Sequence, residues 1–249
     1  MDKFIEAGKS LANLFLNKRA PKGLFLHIQK TAGTSIIHIA QSYYRFGMIS
    51  HGDHVGKPPK AFRNLKFVSG HFGYDFAQQL MGDRYSFTFL RNPESRILSM
   101  YYFLRGQKEN LFPMYKLAKE LSLTEFLRAG LTDPMVKQRI WNNQVWQLAH
   151  GWANRDGKKV EDFEPNQLLD LALTHIECFN HVGITETFEK DRDIILNALH
   201  LPLPEEKVVS NVSSRDSKPL SEEQAMLLKE LTVLDWQLYK VVCDRHGRG

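Results

Sequence analysis

Cysteine is scarce in this 249-residue chain: Cys178 and Cys243 are the only two, far apart and in no CxxC pair. That excludes a disulfide framework and a cysteine-based zinc site, and it fits a reducing, cytoplasmic location. Runs of basic residues are missing too, as is any aromatic–basic repeat. The 33 Lys+Arg against 28 Asp+Glu, a formal charge of +5, therefore suits an anionic ligand without indicating nucleic acid. Long hydrophobic runs are absent. At the start of the chain Phe4, Ile5, Leu11, Leu14, Phe15 and Leu16 are interrupted by Asp2, Lys3, Glu6 and Lys9. Residues 1–21 thus read as a short amphipathic extension, neither a signal-peptide core nor a membrane span. No internal repeat, low-complexity tract or linker appears. With 43% hydrophobic residues the chain can bury one sizeable core, and a single domain over residues 1–249 is expected.

What is present is an alternation of strand-like and helix-like segments. Apolar runs at 24–28, 66–69, 85–90 and 181–184 read as strands. The first is followed by a small-residue turn and a helix to about Tyr44. The third is followed by Asn92, a capping residue, and Pro93 at the first helical position of a segment running to about Arg105. Helical patterning dominates 124–176 and 186–199, and Ser221 is placed to cap one last helix ending near Val242. Strands alternating with helices imply an α/β three-layer sandwich, a central parallel sheet flanked by helices on both faces.

The turn after the first strand reads His27-Ile28-Gln29-Lys30-Thr31-Ala32-Gly33-Thr34-Ser35. A strand, a small-residue turn and a helix present backbone N–H groups to a phosphate at the helix N-terminus. Gly33 lets the backbone approach, Thr34 and Ser35 add hydroxyls, and Lys30 adds charge. The order is not that of a nucleoside-triphosphate P-loop, GxxxxGK[ST], because Lys30 precedes Gly33 and no GK pair follows. A nucleoside-kinase-like phosphotransferase and a non-catalytic nucleotide-binding protein are the alternatives, and Mg²⁺ dependence separates the first of them. Further on, Arg91 ends an apolar strand, where a guanidinium can grip a terminal phosphate with two N–H groups. Ser95, Arg96 and Ser99 share a face of the helix that follows, and Arg96 is expected to be solvated or paired with an acid.

The segment FLHIQKTAGTS resembles the 5′-phosphosulfate-binding turn of the carbohydrate sulfotransferases, the group holding the heparan sulfate 2-O- and 6-O-sulfotransferases. FTFLRNPESRILS at 87–99 is similar to that family's 3′-phosphate site, and VGITE at 182–186 to a late strand-to-helix junction. The resemblance covers roughly residues 22 to 240 and implies a P-loop-like fold. It implies as donor 3′-phosphoadenosine 5′-phosphosulfate, with no metal, and as acceptor a glycan or a small hydroxyl compound. Carried over residue by residue, it makes Lys30, Thr31, Ala32, Gly33, Thr34 and Ser35 the 5′-side cradle, and Arg91 and Ser99 the 3′-phosphate contacts. Arg215, in the late loop Asn211–Arg215, is a further candidate contact, with a plain surface loop as its alternative.

Sulfuryl transfer needs a base for the acceptor hydroxyl and a cation for the departing phosphate. Lys30 stands beside the turn for the second task. His71, in Gly70-His71 after an apolar strand, resembles the family's base position, and an imidazole titrates near neutrality. Of the other histidines, His27 reads as a packed, hydrogen-bonded ring within the first strand. His51 and His54 of HGDH read as a solvated loop, because no further ligand cluster supports a metal. Trp141 and Trp146 read as core, and Gln144 is a candidate reader of the acceptor sugar.

Overall fold

Leu24, Phe25 and Leu26 are all fully buried, although successive side chains of a strand point to opposite faces. Such a strand must be covered on both sides, which is the situation of a central strand in a parallel sheet. The computed structural model describes residues 21–31, 33–44, 47–108, 112–151, 159–203, 219–245 and 247. The N-terminal amphipathic extension as far as residue 20, Ala32 and the Asn211–Arg215 loop lie outside the described residues.

Five strands, β1 (Lys22–Leu26), β2 (Met48–Ile49), β3 (Phe67–Gly70), β4 (Arg84–Leu90) and β5 (His181–Ile184), pair in the order β2-β3-β1-β4-β5. Every pairing is parallel. Leu26 lies opposite Gly70 on one side and Thr88 on the other, so the carboxyl ends of the three central strands form one edge. Strand order reverses at β1, and in open parallel sheets ligands bind beyond the carboxyl ends at such a switch point.

Two layers of helices cover the sheet. Helix α1 (Gly33–Tyr44) lies on one face with α9 (Phe188–Ala198), packing Ile36, Ala40, Tyr44, Ile195 and Leu196 against Phe25, Phe67, Phe87 and Phe89. The opposite face carries α2 (Tyr74–Met81), α7 (Asn143–Ala149), α8 (Pro165–Ile176) and α11 (Val233–Arg245), packed on Leu24, Leu26, Val68, Val182 and Ile184. A third core sits within the helices: α3 (Pro93–Arg105), α4 (Pro113–Glu120), α5 (Leu123–Thr132), α6 (Pro134–Ile140) and α10 (Glu222–Leu231) bury Ile97, Met114, Phe126, Ile140 and Leu231 together. Each such side chain contributes about 1.5–3 kcal/mol by leaving water. Among the described residues no helix is long and apolar enough to cross a membrane.

The expected α/β sandwich is the observed one, with three local differences. The first strand ends at Leu26, because the chain turns at Gln29–Lys30 and Lys30 takes a left-handed φ of 70°. His27 therefore stands just past the strand and not within it. The stretch 124–176 is not continuous helix: Pro134 and Pro165 start new helices, since neither can donate an N–H to a preceding turn. The last helix is two, α10 and α11, broken at Thr232. There the Asn142 Oδ1 accepts the N–H groups of Leu234 (2.8 Å) and Asp235 (3.1 Å). β2, α2 and α4 are further additions that the sequence pattern did not suggest.

Candidate active site

The carboxyl edge of the sheet gathers His27 and Lys30 after β1, His71 after β3 and Arg91 after β4. His71 holds the best-defined position. Its Nδ1 lies 2.9 Å from the His27 carbonyl oxygen. A carbonyl only accepts, so Nδ1 carries the proton and Nε2 keeps its lone pair. The His27 ring stands 4.4 Å from that of His71 between centroids, and His51 lies 5.7 Å away. Burial pulls His71 down to about 4, and His51 and His54 push the same way against the opposing effect of the His27 carbonyl. His27 is buried and held well below the ordinary imidazole value, again chiefly by burial. His27 and His71 are thus neutral at pH 7.

The His27 ring fills the space inside the turn. A Cβ on Gly33 would stand 1.8 Å from His27 Nε2, so only glycine fits there. Gly33 opens α1, a 12-residue helix with no acidic residue in its first turn, which leaves its positive N-terminal end uncompensated. Thr31 is buried with its hydroxyl donating to the Ile28 carbonyl (2.8 Å). Ser35 is buried and Thr34 exposed.

On the donor side the Arg91 Nη1 donates to the Lys30 carbonyl (3.0 Å), which braces the left-handed residue. The Lys30 ammonium lies 4.0 Å from the centre of the Phe103 ring, and among the described residues no carboxylate pairs with it. Burial, then the neighbouring Arg91, lowers its pKa to about 8. Burial and the Arg91 guanidinium both disfavour charge on Lys30, so an anion bound beside it would favour the ammonium. Arg96 and Ser99 are buried one and two turns into α3. The residues present fit a phosphorylated, sulfated nucleotide. Among the described residues no group of three or more His, Cys, Asp or Glu could hold a metal.

The sulfotransferase family's sequence profile, Sulfotransfer_2, matches residues 13–232. The chain belongs to the sulfotransferase family. No curated protein matches it. Among solved structures it is similar to a mouse sulfotransferase, SULT7A1, crystallised in complex with PAP. The two share 12% identity with a TM-score of 0.42, and the match covers 84% of this chain and 64% of that one.

Not every residue of this sulfotransferase-family chain sits where its sequence suggested. Arg96 is not solvated: it is fully buried, donates from Nη2 to the Arg139 carbonyl (3.1 Å), and leaves Nε and Nη1 without partners among the described residues. Burial lowers it to about 10, so it stays a cation and adds positive potential behind Arg91. His54 is buried against Phe72 and Phe76, with Nδ1 3.1 Å from the His51 carbonyl, whereas His51 is exposed. The His27 ring is packed, as its pattern suggested, but its Nδ1 lacks a hydrogen bond among the described residues. Trp146 is core and Trp141 partly so. Gln144 is no acceptor reader. It is fully buried, and both ends of its amide bond the Arg91 main chain. Gln147, which the sequence did not single out, bonds the carbonyls of His27 (3.1 Å) and Phe72 (2.9 Å). Its only sequence signal is its place three residues after Gln144 in the helical run.

Proposed function

We propose that this protein transfers a sulfuryl group from 3′-phosphoadenosine 5′-phosphosulfate to a hydroxyl of a carbohydrate. The observation that carries the reading is one sheet edge with a neutral imidazole fixed by the His27 carbonyl on one side and the neighbouring Lys30 and Arg91 cations on the other. The donor supplies an activated sulfur–oxygen bond. In the step proposed, the acceptor oxygen attacks sulfur and gives its proton to His71 Nε2. The bond from sulfur to the phosphate oxygen breaks, and the electron pair leaves on 3′-phosphoadenosine 5′-phosphate. Lys30 meets that charge, with the first N–H groups of α1 and the Gly33 turn around it. Arg91 and Ser99 read the 3′-phosphate, and Arg215 is a further candidate contact.

A carbohydrate acceptor is supported by the similarity of residues 25–35 and 87–99 to the carbohydrate sulfotransferases, and by the basic balance of the chain. A reducing, cytoplasmic setting is supported by two cysteines that form no disulfide. The test is transfer from ³⁵S-labelled donor to a panel of glycans and small alcohols, with and without a chelator. Label should reach a glycan in both conditions. Label on small alcohols alone would refute the carbohydrate assignment, and loss of transfer in chelator would refute the metal-free scheme.

A further inference from the structure

Helix α7 takes no part in the chemistry just described, yet two of its side chains end in the site. All seven of its residues are buried. Gln144 and Gln147 lie one turn apart on the same face. Gln144 Oε1 accepts the Arg91 N–H (2.9 Å) while its Nε2 donates to the Arg91 carbonyl (3.0 Å), so one amide holds both main-chain groups of the residue at the end of β4. Gln147 Nε2 donates to the His27 carbonyl, past the end of β1, and to the Phe72 carbonyl, past the end of β3. The His27 carbonyl is also the acceptor that fixes the His71 imidazole, so a single oxygen is shared by Gln147 and the base.

The helix is itself fixed at both ends. Asp235 accepts the N–H groups of Val145 (2.8 Å) and Gln144 (3.3 Å), while Asn142 caps α11 in return. At the far end a Cβ on Gly73 would stand 1.8 Å from the His150 carbonyl oxygen, so α7 closes onto the segment that follows His71. These two buried amides bond the main chain of three strand ends and so hold those ends in place, since a buried carbonyl left without a donor is costly.

We propose that α7 is a splint that positions the two halves of the site separately: Gln144 sets Arg91 for the donor, and Gln147 sets the His27 carbonyl that aims His71. Both are positioning residues. The inference rests on the reading of His71 as base and Arg91 as donor contact, and the test separates the two.

Gln144→Met should weaken binding of 3′-phosphoadenosine 5′-phosphate by about three- to tenfold in calorimetry. It should weaken the nucleotide lacking the 3′-phosphate less, and speed hydrogen exchange at the Arg91 amide. Gln147→Met should leave nucleotide affinity unchanged. In ¹⁵N spectra it should convert His71 from one Nδ1–H tautomer to a mixture, and in transfer assays lower kcat without raising donor KM. Gln147→Glu, which keeps the volume but loses the donor, serves if the first variant does not fold. Gln144→Glu keeps the acceptor for the Arg91 N–H and should restore its protection. Asn143→Leu is the control: it removes an equally buried amide of the same helix that donates to the Gln138 carbonyl (2.9 Å), so it should lower thermal stability and move neither readout. If both glutamine variants move both readouts alike, or if Asn143→Leu does, α7 is only part of the core and the splint is refuted. If the wild-type protein binds no nucleotide, the proposed function fails, whereas Arg91 exchange and the His71 tautomer still decide the splint.

Discussion

The two halves of the sheet edge are built from the same elements and end in opposite electrostatic states. On the β1–β3 side, burial is the main reason that the His27 and His71 imidazoles are neutral, with His71 adding to the effect on His27 and His51 and His54 to that on His71. On the β1–β4 side, burial and then the neighbouring Arg91 lower Lys30, yet at about 8 it remains mostly charged at pH 7. Burial is the largest cause on both sides, and the starting value of each group decides the outcome. An imidazole starts near 6.5, so modest desolvation removes its charge, while an ammonium starts near 10.4 and survives the same penalty. A base that must accept a proton and a cation that must meet a leaving group can thus share one partly buried edge.

Removing the base should break the comparison most severely. General-base catalysis supplies about 10²- to 10⁴-fold. His71→Ala should lose at least the lower factor in turnover while binding 3′-phosphoadenosine 5′-phosphate normally, because the base acts on the acceptor. Near-normal turnover would move the base elsewhere, with His51 and His54 next in line.

The donor side should respond in affinity instead. A charge-assisted hydrogen bond contributes about 1.5–3 kcal/mol, so Arg91→Ala should weaken binding of that nucleotide roughly tenfold to over a hundredfold. Arg91 also braces the Lys30 carbonyl, so the nucleotide lacking the 3′-phosphate should lose some affinity too, but less. Equal losses in calorimetry would mean that Arg91 acts only through the turn.

Gly33 joins the halves, since its Cα faces the His27 ring. Overpacking costs about 1–3 kcal/mol, so Gly33→Ala should lower the midpoint of thermal unfolding, by about 2–4 °C per kcal/mol in a domain of this size. His27→Ala should relieve much of that loss in the double variant. Additive losses would show that the turn, and not the ring, resists the methyl group.

The smallest effect is a pH dependence. Lys30 is cationic below its pKa of about 8 and neutral above it, so nucleotide affinity should fall as pH rises through that value, by at most about tenfold per unit for one proton lost. Bound phosphates favour the charged ammonium, so the fall should begin near the free protein's value and level off above the higher value that the ammonium takes in the complex. Lys30→Arg should remove it from the range below pH 10. An affinity that is flat through pH 9 in the wild type would place the ammonium outside the nucleotide site.

Local signals made much of this legible in the sequence. The alternation of elements, the capped start of α3 at Asn92 and the KTAGTS turn are short-range patterns, and the structure confirms the parallel sheet and the Asn92 cap, with the first strand ending two residues early. What stayed hidden depends on contacts between distant segments. Arg96 follows a helix pattern that usually faces solvent, and only the packing of α5, α6 and α10 over α3 buries it. The break at Thr232 is made by Asn142, a residue about ninety positions earlier in the chain. Gln144 looked like a surface reader because its bonds go to a strand end fifty-three residues away. Similarly, the role of the His27 carbonyl could not be seen while His27 was counted within the strand.

The central claim is that His71 waits as a neutral imidazole with Nε2 open, beside cations that stay charged. A ¹H–¹⁵N NMR titration of the histidine side chains, with His71 assigned by comparison with His71→Ala, tests it directly. The account predicts the Nδ1–H tautomer in the empty protein and titration near 4, moving upward when the anionic nucleotide binds. Titration at or above the ordinary value near 6.5 in the empty protein, or a proton resident on Nε2, would contradict it.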